Sequence, residues 1–168
     1  MNNIFQKPEL HDVQRILAEN NLPIDDLSEV NLNHFFWCGD VFNPRGVIGV
    51  EVYGTDGLLR SLAIDLDVQG QGYGALLLQK LEQHAKSIGI QTLYLLTETA
   101  VEYFQGKGFE SIVREFAPEA IKQTKEFSGL CPDSATLMCK SYISDVIQLQ
   151  LFGITDVRES AKFNRLCS

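Results

Sequence analysis

The sequence predicts an α+β fold, a mostly antiparallel sheet with helices on its faces, on three observations. A helical apolar stripe opens the chain. Three apolar runs separated by tight turns then follow between residues 34 and 68, and a glycine-rich loop leads from them into a long amphipathic segment. At 168 residues the chain is most simply one domain, long enough to bury about 70% of its unfolded surface.

Pro8 suits a first helical turn, and Leu10, Val13, Ile16 and Leu17 share one face until Asn20-Asn21 and Pro23 end the run. A shorter segment, "DDLSEVNLN", follows. "HFFWCGD" and "GVIGVEVYG" then read as antiparallel strands joined by the linker "VFNPR". "TDG" makes the next turn, and "LLRSLAIDLDV" reads as a third strand. After the glycine loop, Gly74, Leu77, Leu78, Leu81, Ala85 and Ile88 form a helical stripe that Gly89 stops. "QTLYLLTE" is apolar enough for a strand covered on both faces. "TAVEYFQGK" reads as a helix, Gly108-Phe109 opens a strand, "PEAIKQTKEFS" is a further helix and "SATLMCK" a last strand.

Composition excludes several classes. A net charge of −8 argues against a nucleic-acid binder, whose affinity would come from Lys and Arg on phosphates. No apolar run approaches the roughly 20 residues of a membrane span. "MNNIFQKPELHD" lacks a secretory signal, so the cytoplasm is the expected compartment. Cys38, Cys131, Cys139 and Cys167 show no zinc-ligand spacing and read as reduced thiols. The three histidines are scattered, with His84 at the edge of a helical stripe. No metal is expected.

The chemistry is concentrated in "DVQGQGYGALLLQKLEQHAKSIG", residues 67–89. Gly70, Gly72 and Ala75 formally match the dinucleotide fingerprint, but the loop follows a meander, without the parallel βαβ units that fingerprint requires. Read as Gln69-x-x-Gly72-x-Gly74, it is a strand-to-helix loop whose bare amides could hold a pyrophosphate. A tight turn with close helix packing would also use these glycines.

In this context the loop resembles the acyl-CoA loop of the GNAT N-acetyltransferase superfamily, [QR]-x-x-G-x-[GA], and the order of elements over residues 1–140 is similar too. The stretches "LLRSLAI", "LYLLTETA", "YFQGKGF" and "EFSGLCPDSATLM" look like its arsenic-resistance N-acetyltransferase branch, a name that does not by itself fix a substrate. The resemblance implies the GNAT acyl-CoA N-acyltransferase fold, a mixed and mostly antiparallel sheet with helices on both faces. It implies acetyl-CoA as co-substrate, no metal, and a small-molecule amine as acceptor.

Carried over by position, the resemblance puts Leu62, Ala63 and Ile64 beside the pantetheine arm, Gln69, Gly70, Gln71, Gly72, Tyr73, Gly74 and Ala75 around the pyrophosphate, and Phe104 among the cofactor-binding residues. A backbone N–H near Leu62 or Ala63 would meet the thioester carbonyl. Glu51 and Glu98 are the candidate bases, although a carboxylate in such a place is more often solvated or salt-bridged. Arg60, odd in an apolar strand, would either anchor an anionic substrate group or pair with Glu51. The chain departs from the family at Phe104, which stands where many members have the tyrosine that protonates the leaving thiolate. Tyr103 is one helical step away and reads as a packing residue, so no general acid is assigned.

A protein or peptide acetyltransferase and a non-catalytic acyl-CoA sensor are the rival readings. Residues 141–168 form an extension beyond the usual family end. Its apolar "VIQLQLFGI" is expected to dock on the domain or on a second subunit of a homodimer.

Overall fold

The computed structural model describes residues 3–143, and the apolar stretch of the extension lies outside them. The described strands are β1 (Ile4–Gln6), β2 (Phe35–Asp40), β3 (Asn43–Tyr53), β4 (Asp56–Ile64), β5 (Thr92–Thr97), β6 (Glu110–Ser111) and β7 (Thr136–Ser141). Four α-helices accompany them: α1 (Leu10–Glu19), α2 (Tyr73–Ser87), α3 (Val101–Gln105) and α4 (Glu119–Lys122). The strands form a mixed sheet in the order β1-β2-β3-β4-β5-β7-β6. The β4–β5 pairing is parallel, over Asp56–Leu58 against Thr92–Tyr94. The pairs β1–β2, β2–β3, β5–β7 and β6–β7 are antiparallel. This is the α+β fold that the sequence predicts.

The described residues divide into two compact units, the first ending at Glu51 and resuming over Leu59–Ile88, the second made of Val52–Leu58 and the described chain from Gly89 onward. In the first unit, α1 buries Val13, Ile16 and Leu17 against Leu32, Phe35, Val47 and Ala63. The period-2 alternation of β2 explains how this unit fills both faces. Phe35 joins the α1 cluster, while its neighbour Phe36 packs edge-on to His84 of α2, 5.1 Å between ring centroids. Helix α2 buries Leu77, Leu78, Leu81 and Ala85 and packs on β1 and β2. In the second unit Leu58, Tyr94, Ile112, Ile121, Leu137 and Cys139 form the core.

Several boundaries differ from the expected ones. Strand β3 begins at Asn43, so most of "VFNPR" belongs to the sheet, and a bulge at Cys38/Gly39 absorbs the register. Strand β4 ends at Ile64, before the expected end at Val68. The Asp65 N–H turns to the Arg45 carbonyl (2.8 Å), and the Val68 N–H returns to the Asp65 carbonyl, closing a 3₁₀ turn over Leu66–Val68. The expected helix of "PEAIKQTKEFS" stops at Lys122. The Thr124 hydroxyl donates to the Ile121 carbonyl (2.7 Å) and accepts from the Phe127 N–H (3.2 Å), competing with the helical ladder. Ile88 is 38% exposed rather than part of the buried stripe. Strand β1, only three residues long, carries too little periodicity to be read from sequence.

Two expected outcomes follow from this packing. A Cβ built on Gly49 would collide with the ring of its cross-strand partner Phe35, which is fully buried. Gly49→Ala is therefore expected to destabilise by about 1–3 kcal/mol in urea titration. On the α2 side, His34 Nδ1 and His84 Nε2 share a hydrogen bond of 3.0 Å. Burial first, then the neighbouring His34 and Lys80, hold the His84 pKa below its ordinary 6.5. A depressed folded-state value means that this stability is complete above 6.5 and is lost as pH falls toward the folded pKa. Melting temperature should therefore drop below that pH, and His84→Gln should flatten the drop.

Candidate functional site

The glycine loop of the first unit is built from backbone conformations that other residues rarely adopt. Gly70 has φ +77° and Gly72 has φ +90°, and a Cβ at either position would meet no atom within 4 Å. The glycines are needed for the sign of φ, while the space beyond them stays open. Gly72 is the N-cap of α2 and no side chain caps it; the first helical bond runs from the Leu76 N–H to the Gly72 carbonyl (3.2 Å). The preceding amides therefore lack helical partners and carry the positive end of a 15-residue helix. No acidic residue occupies its first turn. The arrangement suits a phosphate-bearing ligand.

The base of the loop is tied down by polar contacts. The Gln69 side-chain amide donates to the Ile64 carbonyl (3.1 Å) and to Asn20 Oδ1 (3.2 Å). Asn20 in turn donates to the Ile16 and Ile64 carbonyls (2.9 and 3.2 Å). Gln69 thus spends its side-chain N–H groups on Asn20 and Ile64. The acidic residues beside the loop are matched by cations. Asp65, 5% exposed, meets Arg15 Nη1 at 3.2 Å and Arg45 Nε at 3.5 Å. Asp67 accepts from Arg45 Nη2 at 2.5 Å, and that bond holds its carboxyl below the usual carboxylate value. Two arginines therefore offset the acidity that "DLD" would place next to an anion.

Upstream on β4, Arg60 is 3% exposed, and its guanidinium is gripped by two carboxylates. Nη1 meets Asp26 Oδ2 and Nη2 meets Asp26 Oδ1 (2.8 Å), a fork-to-fork pair. Nη1 also donates to Glu51 Oε1 (2.5 Å), and Nε to Ser61 Oγ (3.2 Å). The pairing with Glu51 that the sequence left open is present. Ser61 stands at φ +60°, a left-handed residue inside a strand and immediately before Leu62 and Ala63.

The first unit thus contains Glu51, Arg60, Leu62, Ala63, Ile64 and the whole loop Gln69–Ala75. Glu98 and Phe104 belong to the second. Glu98 is exposed, just past the end of β5, and accepts a hydrogen bond from Ser134 Oγ (3.2 Å). Phe104 is 6% exposed and packs edge-on against Tyr103 and Phe109. Tyr103 is partly exposed, and burial raises its phenol above the ordinary value. Among the described residues no cluster of three or more His, Cys, Asp or Glu could hold a metal ion. No described helix is long and apolar enough to cross a membrane.

Sequence reasoning missed Asp26 and Ser61. Asp26 had a weak signal, an acidic residue in the segment before β2. Ser61 had none, because nothing local to "LRSLA" demands a left-handed serine.

Residues 31–111, from the 3₁₀ turn before β2 to the end of β6, match the family model described as Acetyltransferase (GNAT) domain. The amino-acid acetyltransferase of Pseudomonas syringae pv. syringae is 34% identical over 64 residues, 38% of this chain and 15% of that protein. The amino-acid acetyltransferase of Escherichia fergusonii is 30% identical over 66 residues, 39% of this chain and 15% of that protein. The chain therefore spans only 15% of the length of these curated relatives. Among solved structures, N-acetylglutamate synthase from Neisseria gonorrhoeae, complexed with coenzyme A and N-acetyl-glutamate, superposes with a TM-score of 0.72. Its sequence identity is 20%, and the match covers 86% of this chain and 36% of that one. A GNAT-family acetyltransferase from Staphylococcus aureus Mu50 gives 0.65 at 18% identity, over 85% of this chain and 100% of that one. The fold is the GNAT fold.

The Arg60 cluster yields an expected outcome independent of any ligand. Arg60→Ala would leave two carboxylates without their shared cation, one of them, Asp26, only 5% exposed at the side chain. A loss of about 3–5 kcal/mol is expected for breaking such a buried pair, measured by urea unfolding.

Proposed function

We propose that this chain, a GNAT fold with a GNAT acetyltransferase domain over residues 31–111, transfers an acetyl group from acetyl-CoA to the amine of a small molecule. The observation that carries this reading is the start of α2: uncapped amides behind two left-handed glycines with open space in front of them. The residues fit a pyrophosphate, since the amides at the helix start have no capping side chain, a Cβ at Gly70 or Gly72 would meet no atom within 4 Å, and nearby carboxylates are already paired. The amino-acid acetyltransferases that match part of the chain favour an amino-acid amine as the first acceptor to try.

Acetyl-CoA supplies the activated acyl group as a thioester. The amides of Gln69, Gly70, Gln71, Gly72, Tyr73, Gly74 and Ala75 hold its phosphates, and the backbone of Leu62, Ala63 and Ile64 aligns its arm. The N–H of Leu62 or Ala63 stabilises the oxyanion that forms when the amine attacks, worth about 3 kcal/mol for one such donor. The amine must be neutral to attack, and Glu51 or Glu98 accepts its proton, directly or through water. Arg60 contributes by holding Glu51 in place through their 2.5 Å contact. Four of its N–H bonds are already spent on Asp26, Glu51 and Ser61, which leaves little of the fork for a substrate anion. The thiolate can leave without an acid, because its conjugate thiol has a pKa of about 8.5.

Phe104 favours one second reading. A buried phenyl ring at the position of the family's acid suits a protein that binds acyl-CoA as a sensor without turning it over.

Calorimetric titration of acetyl-CoA into wild type and Gly72→Trp, with a thiol-release screen, tests both readings. The screen should include amino acids, other small amines, peptides and arsenic-containing amino acids, the last because of the branch that the sequence resembles. Binding lost in Gly72→Trp, with thiol release on some amine, is the expected result. Binding without turnover would favour the sensor, and no binding would remove the reading. For a protein that turns over, Tyr103→Phe is expected to leave the thiol-release rate unchanged.

A further inference from the structure

We propose that Asp26 is a positioning residue for the thioester: through Arg60 it holds the kink at Ser61 that aims the next backbone N–H groups. The proposal rests on the acetyl-CoA reading above. Ser61 is at φ +60° within β4, a conformation whose cost for a non-glycine residue makes it persist only where its surroundings over-determine it. The surroundings here are specific. Ser61 Oγ accepts from Arg60 Nε at 3.2 Å, and the same guanidinium is clamped by Asp26 from one side and Glu51 from another. With side-chain exposures of 1% for Arg60 and 5% for Asp26, neither partner of the central pair can relax into water.

Asp26 is itself fixed by its own segment. Asn31 Nδ2 donates to the Asp26 carbonyl (3.0 Å), while Asn31 Oδ1 accepts from the Ser28 N–H (3.0 Å) at the start of the 3₁₀ turn Glu29–His34. A continuous set of contacts therefore runs from that turn through Asp26 and Arg60 to Ser61. A left-handed residue reorients the peptide planes that follow it, and those belong to Leu62 and Ala63. If the set loosens, these planes return toward an ordinary strand and their N–H groups lose their aim.

The test compares affinities for acetyl-CoA and for CoA, which lacks the thioester carbonyl that the aimed N–H would meet. Calorimetry on the full chain is expected to show wild type preferring acetyl-CoA by about fivefold, the equilibrium worth of one neutral hydrogen bond. Asp26→Asn is expected to bring that ratio toward one while leaving CoA affinity unchanged. Ser61→Ala, which spares the ion pair, should do the same. Adding Ser61→Gly to Asp26→Asn should restore the preference, because glycine takes a positive φ without strain. A ratio unchanged in both single variants, equal weakening of both ligands, or failure of the glycine to rescue would overturn the proposal. Wild type binding neither ligand would instead overturn the functional reading on which it stands.

Discussion

A guanidinium removed from water must be matched by charge and hydrogen bonds at the point of burial, and that constraint organises the first unit. Arg60 meets it with Asp26 from the segment before β2 and with Glu51 from β3. Three stretches distant in sequence are thereby fixed to one planar fork. A hydrophobic residue of similar volume could fill the space, but it could not specify which carboxylate sits where. The fork also reaches the serine whose backbone breaks the regular course of β4. In the proposed function, the geometry at the thioester is therefore inherited from the Arg60–Asp26 pair.

The loop after β4 follows a complementary principle: it leaves backbone groups unsatisfied where a ligand can satisfy them. Positive charge at the start of α2 comes from peptide dipoles and bare N–H groups, so in the proposed function an acidic protein would hold an anion there through its backbone. Asp65 and Asp67 would oppose that field if unpaired. Arg15 and Arg45 cancel them locally, and Gln69 ties the loop to α1 and β4 so that the amides keep a fixed direction. Rigidity below the loop and openness above it have different physical origins, side-chain pairing in one case and missing Cβ atoms in the other.

Legibility in the sequence followed the range of the interactions. The α2 stripe and its Gly89 stop were readable because both depend on neighbours within a turn or two. The end of β4 was not, because Ile64 and Asp65 are diverted by Asn20, Arg15 and Arg45, far away in the chain. Helix α4 was overextended because apolar spacing could not reveal that Thr124 would turn its hydroxyl on the backbone. Glu51 and Arg60 were legible as residue types in unusual places, and Asp26 became visible only once the segment before β2 was folded against them.

By itself, the sequence determined the fold class, the glycine loop and the helix it opens, since periodicity and glycine spacing are local consequences of backbone sterics. Only the tertiary structure decided which carboxylates hold Arg60, that Gln69 bonds to Asn20, and that Ser61 is left-handed. Each of those outcomes is a choice among several conformations of similar local energy. For the Glu51 and Asp26 contacts of Arg60 and the Gln69–Asn20 bond, the partner lies between 9 and 49 residues away, and local sequence carries no record of a partner at that range.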